Sequence, residues 1–284
     1  DTPHNFEAWD IDFYYHQQVL ENAQGSAWKQ TANGAARQIL EFRLSVSNST
    51  MVQEISLEAG SKALEFRTRV EWSEAQRMLR VAFPLESLAT EASCEVAYGH
   101  VKRPTHANTE WDFAKFEVCA HRYVDISDSS GGVALLNDCK YGHSVRDNIL
   151  DLCLLRSPLY PDPDADQGSH EFRYVLYPHA GDLVHSAVMP AAACLNRSPL
   201  VFAGASPKLT GLPVSLSGEG VSLEVLKKAE KQDVLVIRLV ETRGLESAAT
   251  LGCSLPKASL VETDLMEWHD HGGRSLASPV TITL

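Results

Sequence analysis

The feature that most constrains this chain is an alternation of period two. Leu64, Phe66, Thr68, Val70 and Trp72 alternate with Glu65, Arg67, Arg69 and Glu71. Successive side chains of a strand point to opposite faces, so this segment predicts a half-buried strand with a charged outer face. Leu79, Val81 and Phe83 repeat the pattern up to Pro84, and Leu40, Phe42, Leu44 and Val46 precede it. Val221, Leu223 and Val225, then 234–240, continue it. Helical periodicity is scarce: 10–20 and 110–118 are weak candidates, and both also fit strands. Strands this frequent, with turns between them, predict an all-β chain built on a large antiparallel sandwich. A stretch poor in large apolar residues and rich in Gly, Pro and Ser, 204–216, places a boundary between a domain at 1–205 and a smaller β domain at 206–284.

Three apolar runs, 133–136, 149–155 and 172–176, are separated by loops dense in Asp, Asn, His, Lys and Tyr. This is the pattern of a sheet that holds polar groups at one rim. A sugar site needs such a rim, because hydroxyls must meet directed donors and acceptors. The net charge of −12, with no basic block, argues against a nucleic-acid partner and against an anionic membrane surface. No apolar run approaches the 18 or so residues of a membrane-spanning helix. Six cysteines lie at irregular spacings without a C-x-x-C pair, as in proteins of a reducing compartment, so a cytoplasmic location is expected. The chain starts DTPHNFEAWD without Met and ends SPVTITL inside an alternating segment, and is expected to be a piece of a longer polypeptide.

The richest loop is YPDPDADQGSH, 160–170. Asp162, Asp164 and Asp166 alternate as at the start of a calcium loop, but glycine falls at the seventh place and Arg173 at the twelfth, so a calcium site is not predicted. Two readings remain: a sugar-facing loop of directional acceptors, or a solvated loop stiffened by Pro161 and Pro163. Asn137-Asp138-Cys139-Lys140-Tyr141-Gly142 reads first as hairpin-turn chemistry, with Lys140 and Tyr141 as the residues able to project into a cleft. His100, His106, His143, His179 and His185 show no ligand spacing, so no metal site is predicted within the chain. His170 and Glu171 are the only adjacent His–Glu pair in the loop region that could serve as acid and base in a mutarotase-like enzyme, but neighbours on a strand face opposite ways. A stand-alone carbohydrate-binding β-sandwich is the other alternative; its sign would be an aromatic platform, and Trp9, Trp28, Trp72, Trp111 and Trp268 are dispersed.

Five stretches together resemble the C-terminal part of glycoside hydrolase family 38 α-mannosidases, most similar to the cytosolic and bacterial branch. They are DTPHNFEAWDIDFYY at the start, AFPL at 82–85, GHVKRPTHANTEWDFAKFEVCAHRY at 99–123, GVALLNDCKYGHSV at 132–145 and LLRSPLYPDPDADQGSHEFRYVLYPH at 154–179. The resemblance covers most of 1–190, and beyond about 205 it is one of general character. It implies a supersandwich like that of galactose mutarotases, followed by a smaller β-sandwich. It also implies retaining hydrolysis of α-mannosides by the complete enzyme, whose zinc ion, nucleophilic Asp and acid/base carboxylate belong to an N-terminal (β/α) barrel. No catalytic or zinc-binding residue is carried over to this chain, which alone is expected to be inactive. What the resemblance implies here is a substrate-cleft rim of Asp166, Gln167, Gly168, His170, Lys140 and Tyr141. The expected partners are an α-mannoside oligosaccharide and the catalytic barrel, and these residues leave homo-oligomerisation open.

Overall fold

A computed structural model describes residues 6–201, 203–204, 213–255, 257–275 and 279–284. The chain divides into two compact units, Asp1–Pro199 and Leu200–Leu284. The centre of the expected boundary, 205–212, lies outside the described residues.

The first unit runs β1 (Gln24–Asn33), β2 (Arg37–Val46), β3 (Ser49–Glu58), β4 (Leu64–Trp72), β5 (Leu79–Pro84), β6 (Glu91–Val96), β7 (Gly99–Pro104) and a short helix α1 (Glu110–Phe113). It continues with β8 (Val118–Cys119), β9 (Tyr123–Ser127), β10 (Gly131–Asn137), β11 (Gly142–Arg146), β12 (Ile149–Leu155), β13 (Gly168–Ala180) and helix α2 (Val188–Asn196). Nine strands form one sheet in the order β1-β2-β3-β4-β13-β10-β9-β6-β7, and four form a second, β5-β12-β11-β8. The described pairings in both sheets are antiparallel. The all-β expectation is met.

The core lies between the two sheets. The large sheet contributes Phe66, Val70, Trp72, Val124, Ile126, Leu135, Phe172 and Tyr174; the small one contributes Val118, Val145, Leu150, Leu152 and Leu154. On β4 the burial follows the alternation: Phe66, Thr68, Val70 and Trp72 are buried, while Arg67, Arg69 and Glu71 are exposed. Phe66 stacks on Tyr174 at 5.1 Å between ring centres and lies 5.7 Å from Phe83 of the facing sheet. The run 133–136 reads as unbroken apolar sequence for a different reason. Leu135 faces this core, and Ala134 and Leu136 face a second one, where Leu183, Val188 and Ala192 of the α2 region cover the back of the large sheet. A strand buried on both faces has no reason to alternate.

Of the two weak helical candidates, 10–20 contains a single 3-10 turn, Phe13–Gln17, and 110–118 contains α1. Thr109 caps α1 by accepting the Asp112 N–H at 3.1 Å. The turn 137–142 is not a hairpin, because β10 and β11 belong to different sheets. Its chemistry is still that of an Asn turn: Asn137 Oδ1 accepts the N–H groups of Cys139 at 3.1 Å and Lys140 at 2.6 Å.

The second unit contains β14 (Val214–Ser217), β15 (Val221–Lys228), β16 (Leu235–Glu241), β17 (Ala248–Cys253), β18 (Ser259–Thr263), β19 (Asp270–Ser275) and β20 (Val280–Thr283). They pair as β14-β17-β20, β15-β16 and β18-β19. Ala249 and Leu251 of β17 are its buried centre.

Candidate functional site

Several connections of the first unit emerge at one end of the sandwich. Asn137 at the end of β10 lies opposite Tyr174, the midpoint of β13, and Gly168 at the start of β13 lies opposite Trp72, the last residue of β4. The loops 73–78 and 156–167 therefore leave the large sheet at the same edge, and 137–142 leaves it in the same direction from six residues further along β13; each crosses from one sheet to the other.

The crossing 156–167 is tied down by its own polar groups. Asp166 sits at φ 60°, a left-handed conformation that Asp tolerates better than most residues. Its Oδ2 accepts the backbone N–H of Arg156 at 2.9 Å and of Ser157 at 3.0 Å. Ser157 is fully buried; its carbonyl accepts the Gln76 N–H at 2.7 Å, and its hydroxyl accepts the indole N–H of Trp72. Gln167 donates its side-chain amide to the Glu74 carbonyl at 2.5 Å. Gly168 takes φ 98°, which admits the turn into β13 at little steric cost. His170 Nε2 donates to the Asp166 carbonyl at 2.9 Å. The structure thus gathers Asp166, Gln167, Gly168 and His170 into one turn, with Asp166 committing one oxygen to the backbone of its own loop.

Lys140 and Tyr141 lie on the neighbouring crossing. The Lys140 ammonium stands 5.0 Å from the ring centre of Phe172 on β13. Tyr141 is exposed and meets His121 edge-on at 5.7 Å. Beneath them His143 is fully buried, facing the core opposite Val118 and Leu152, and its Nδ1 lies 3.3 Å from the Tyr141 carbonyl. Burial pushes its pKa down to about 4, so it stands neutral in the fold at neutral pH.

Glu171 does not share a cleft with His170. It faces Arg67 and Arg69, whose guanidinium groups, Arg67 first, hold its carboxyl below the usual range. Such a carboxylate is a poor proton acceptor, which removes the support for a mutarotase-like acid–base pair. Arg122 pairs with the carboxylate of buried Glu95.

Two groupings escape sequence reasoning. On the outer face of the small sheet, Arg80 bridges Asp151 at 2.5 Å and Glu117 at 3.1 Å, and the Tyr15 hydroxyl donates to Glu117 at 2.6 Å. Burial works against the Arg80 charge, but the two carboxylates outweigh it and raise its pKa. This knot fixes the segment 13–17 to the sheet. The second grouping joins Phe6 and Trp9 to Tyr160, at the start of the 160–170 loop. Dispersed tryptophans gave no hint of it, since two of the three rings are Phe and Tyr. Among the described residues, no three His, Cys, Asp or Glu side chains come together as metal ligands. Each of the six cysteines carries a free thiol. No helix among the described residues is long and apolar enough to cross a membrane.

The architecture is that of a solved α-mannosidase from Enterococcus faecalis V583: TM-score 0.75 at 16% identity, over 92% of this chain and 34% of that one. Residues 1–164 match the family described as "Glycosyl hydrolases family 38 C-terminal domain", and 220–284 match "Glycosyl hydrolases family 38 C-terminal beta sandwich domain". The chain belongs to glycosyl hydrolase family 38, as a segment of its C-terminal region. It is 41% identical to Alpha-mannosidase 2C1 of Mus musculus over 281 residues, which cover 96% of this chain and 27% of the relative. It is 34% identical to Alpha-mannosidase G of Dictyostelium discoideum, covering 100% of this chain and 27% of that protein. Alpha-mannosidase of Saccharomyces cerevisiae gives 34%, with 94% and 27% coverage. The chain spans about a quarter of the length of these curated relatives.

Proposed function

We propose that this chain is the β-rich C-terminal portion of a cytoplasmic α-mannosidase, bracing the catalytic barrel and completing the rim of its substrate cleft. The observation that carries this reading is the family match over 1–164, joined to relatives named as α-mannosidases that are almost four times longer. Asp166, Gln167, Gly168, His170, Lys140 and Tyr141 form the rim. Asp166 and Gln167 set the backbone of one loop, while Lys140, against the Phe172 ring of β13, and exposed Tyr141 offer a charge and a ring on the 137–142 crossing. Free thiols on all six cysteines support the cytoplasmic assignment. The complete enzyme is expected to be a zinc-dependent retaining glycosidase. The described residues of this chain do not offer a zinc site, and its part is to position substrate and support the barrel.

A second reading, a self-sufficient carbohydrate-binding module, is favoured by the exposed rings of Phe6, Trp9 and Tyr160. One experiment separates the two. Purified residues 1–284 should be inert toward an aryl α-mannoside with or without added zinc, because retaining hydrolysis needs a nucleophile and an acid/base group flanking one bond. Co-expression with the upstream barrel should give turnover. Metal-dependent hydrolysis by the isolated chain, surviving removal of contaminating mannosidase, would overturn the first reading; glycan binding by that chain without any need for the barrel would favour the second.

A further inference from the structure

Phe6 and Trp9 are brought to Tyr160 from the far end of the first unit's sequence. Ring centres lie 6.3 Å apart for Phe6–Trp9 and Trp9–Tyr160, and 6.4 Å for Phe6–Tyr160. Their planes cross at 69°, 67° and 51°, so the rings form a corner rather than a flat strip. All three are exposed, at 60%, 69% and 54%. Single exposed aromatics are ordinary, whereas three touching ones mark a surface that something else occupies.

The corner is built. Between Phe6 and Trp9, Glu7 reaches back to accept the Leu159 N–H at 2.9 Å and the Gln76 side-chain amide at 3.1 Å. One carboxylate therefore locks the first segment to both the 156–167 crossing and the 73–78 loop. The surroundings are polar and charged. Asp162 and Asp164 are exposed on the loop that Tyr160 begins, and Glu7 and Asp10 lie near enough to Arg156 for their charges to act on its pKa. The core of a protein–protein interface is depleted of charges in this way of packing, and an apolar partner would leave these carboxylates desolvated. A sugar ring fits both halves of the description. Its C–H faces carry weak positive charge and seek the electron-rich face of an aromatic ring, and its hydroxyls donate to carboxylates.

We infer that Phe6, Trp9 and Tyr160 form a stacking corner for one hexose ring of an α-mannoside, with Asp162 and Asp164 accepting its hydroxyls. The inference rests on the reading of the chain as part of an α-mannosidase. It extends the rim from the 137–142 and 156–168 loops to the segment 6–10.

The test uses the complete enzyme and α-mannobiose as substrate. Trp9→Ala and Tyr160→Ala should each raise KM about tenfold, with kcat and the thermal midpoint close to the parent's, and Trp9→Phe should recover most of the loss. Should Trp9→Ala not fold, Tyr160→Ala and Trp9→Phe carry the same comparison. An unchanged KM in Tyr160→Ala and in the Trp9 variants overturns the corner. So does a lowered thermal midpoint with unchanged KM, which would assign the rings to packing against another part of the polypeptide. Lys140→Ala and Tyr141→Ala in the same assay keep the two levels apart. If they alter kinetics while the aromatic variants do not, the corner fails and the rim stands; if none of them alters kinetics, both fail.

Discussion

Burial of His143 should make part of the stability of the first unit depend on mildly acidic pH. A carbonyl only accepts, so the contact with the Tyr141 oxygen places the ring proton on Nδ1. Nε2 is then an acceptor, buried and without a partner. Protonating it would place a charge among Val118, Leu152 and their neighbours, and burial accordingly holds the pKa at about 4 against an ordinary 6.5. The sign follows from proton counting. Between these two values the unfolded chain binds the proton and the folded chain does not, so stability rises with pH. The contribution is complete above about 6.5 and is lost as pH falls through about 4. At about 1.4 kcal/mol for each tenfold in proton activity, the gap amounts to about 3 kcal/mol. His143→Leu removes the titration and the orphan acceptor at similar bulk, at the cost of one hydrogen bond worth about 1 kcal/mol. Urea unfolding of parent and variant at pH 7.5 and pH 4.5 isolates the effect from the carboxylates both share. The parent should lose about 2–3 kcal/mol more than the variant across that interval, making the variant the more stable protein in acid. Parallel losses in the two proteins, within about 0.5 kcal/mol, would refute the burial argument.

Two further perturbations test the core and the loop. Phe66→Ala removes a ring stacked on Tyr174 and should cost roughly 3–5 kcal/mol in urea unfolding; a loss under about 1 kcal/mol would mean that the face is open to water. Asp166→Ala strips the acceptor from two N–H groups, one of them on a fully buried residue, and should cost about 2–4 kcal/mol, while Asp166→Asn, which keeps an acceptor oxygen, should cost about half as much or less. Equal stability of both variants and the parent, by the same measurement, would show that the loop is not held through this carboxylate.

The fold was legible where burial was one-sided. β4 reads from its alternation because one face meets the core and the other meets water. β1 does not read at all: QGSAWKQTAN pairs only with β2 and is exposed along almost its whole length, so no face imposes a pattern. α2 was missed because VMPAAACLN is short and apolar nearly all round, and its role is set by the back of the large sheet rather than by its own periodicity. At the candidate site, the polar loops were recognisable from their Asp, Gly and Tyr content, and the rim role given to them is what the resemblance implies. What each side chain does was not. Asp166 reads as an outward acceptor, yet Oδ2 is turned onto residues 156 and 157, a contact that no spacing rule announces. Phe6, Trp9 and Tyr160 meet only through the folding of the chain, because a carboxylate at position 7 finds an N–H at position 159.

The crossing from β12 to β13 joins the two layers of the sandwich at its mouth and so behaves as a strut. Its ends are anchored in different sheets, and they separate or approach only as the layers do. The aperture at that end is therefore fixed by the thickness of the apolar filling between Val70, Trp72 and Leu154. Bulk added or removed in that filling would be felt at the rim as a change of width, without any rim residue being altered. Selectivity for a ligand at the mouth would in this way be tuned from inside the protein, by side chains that never meet it.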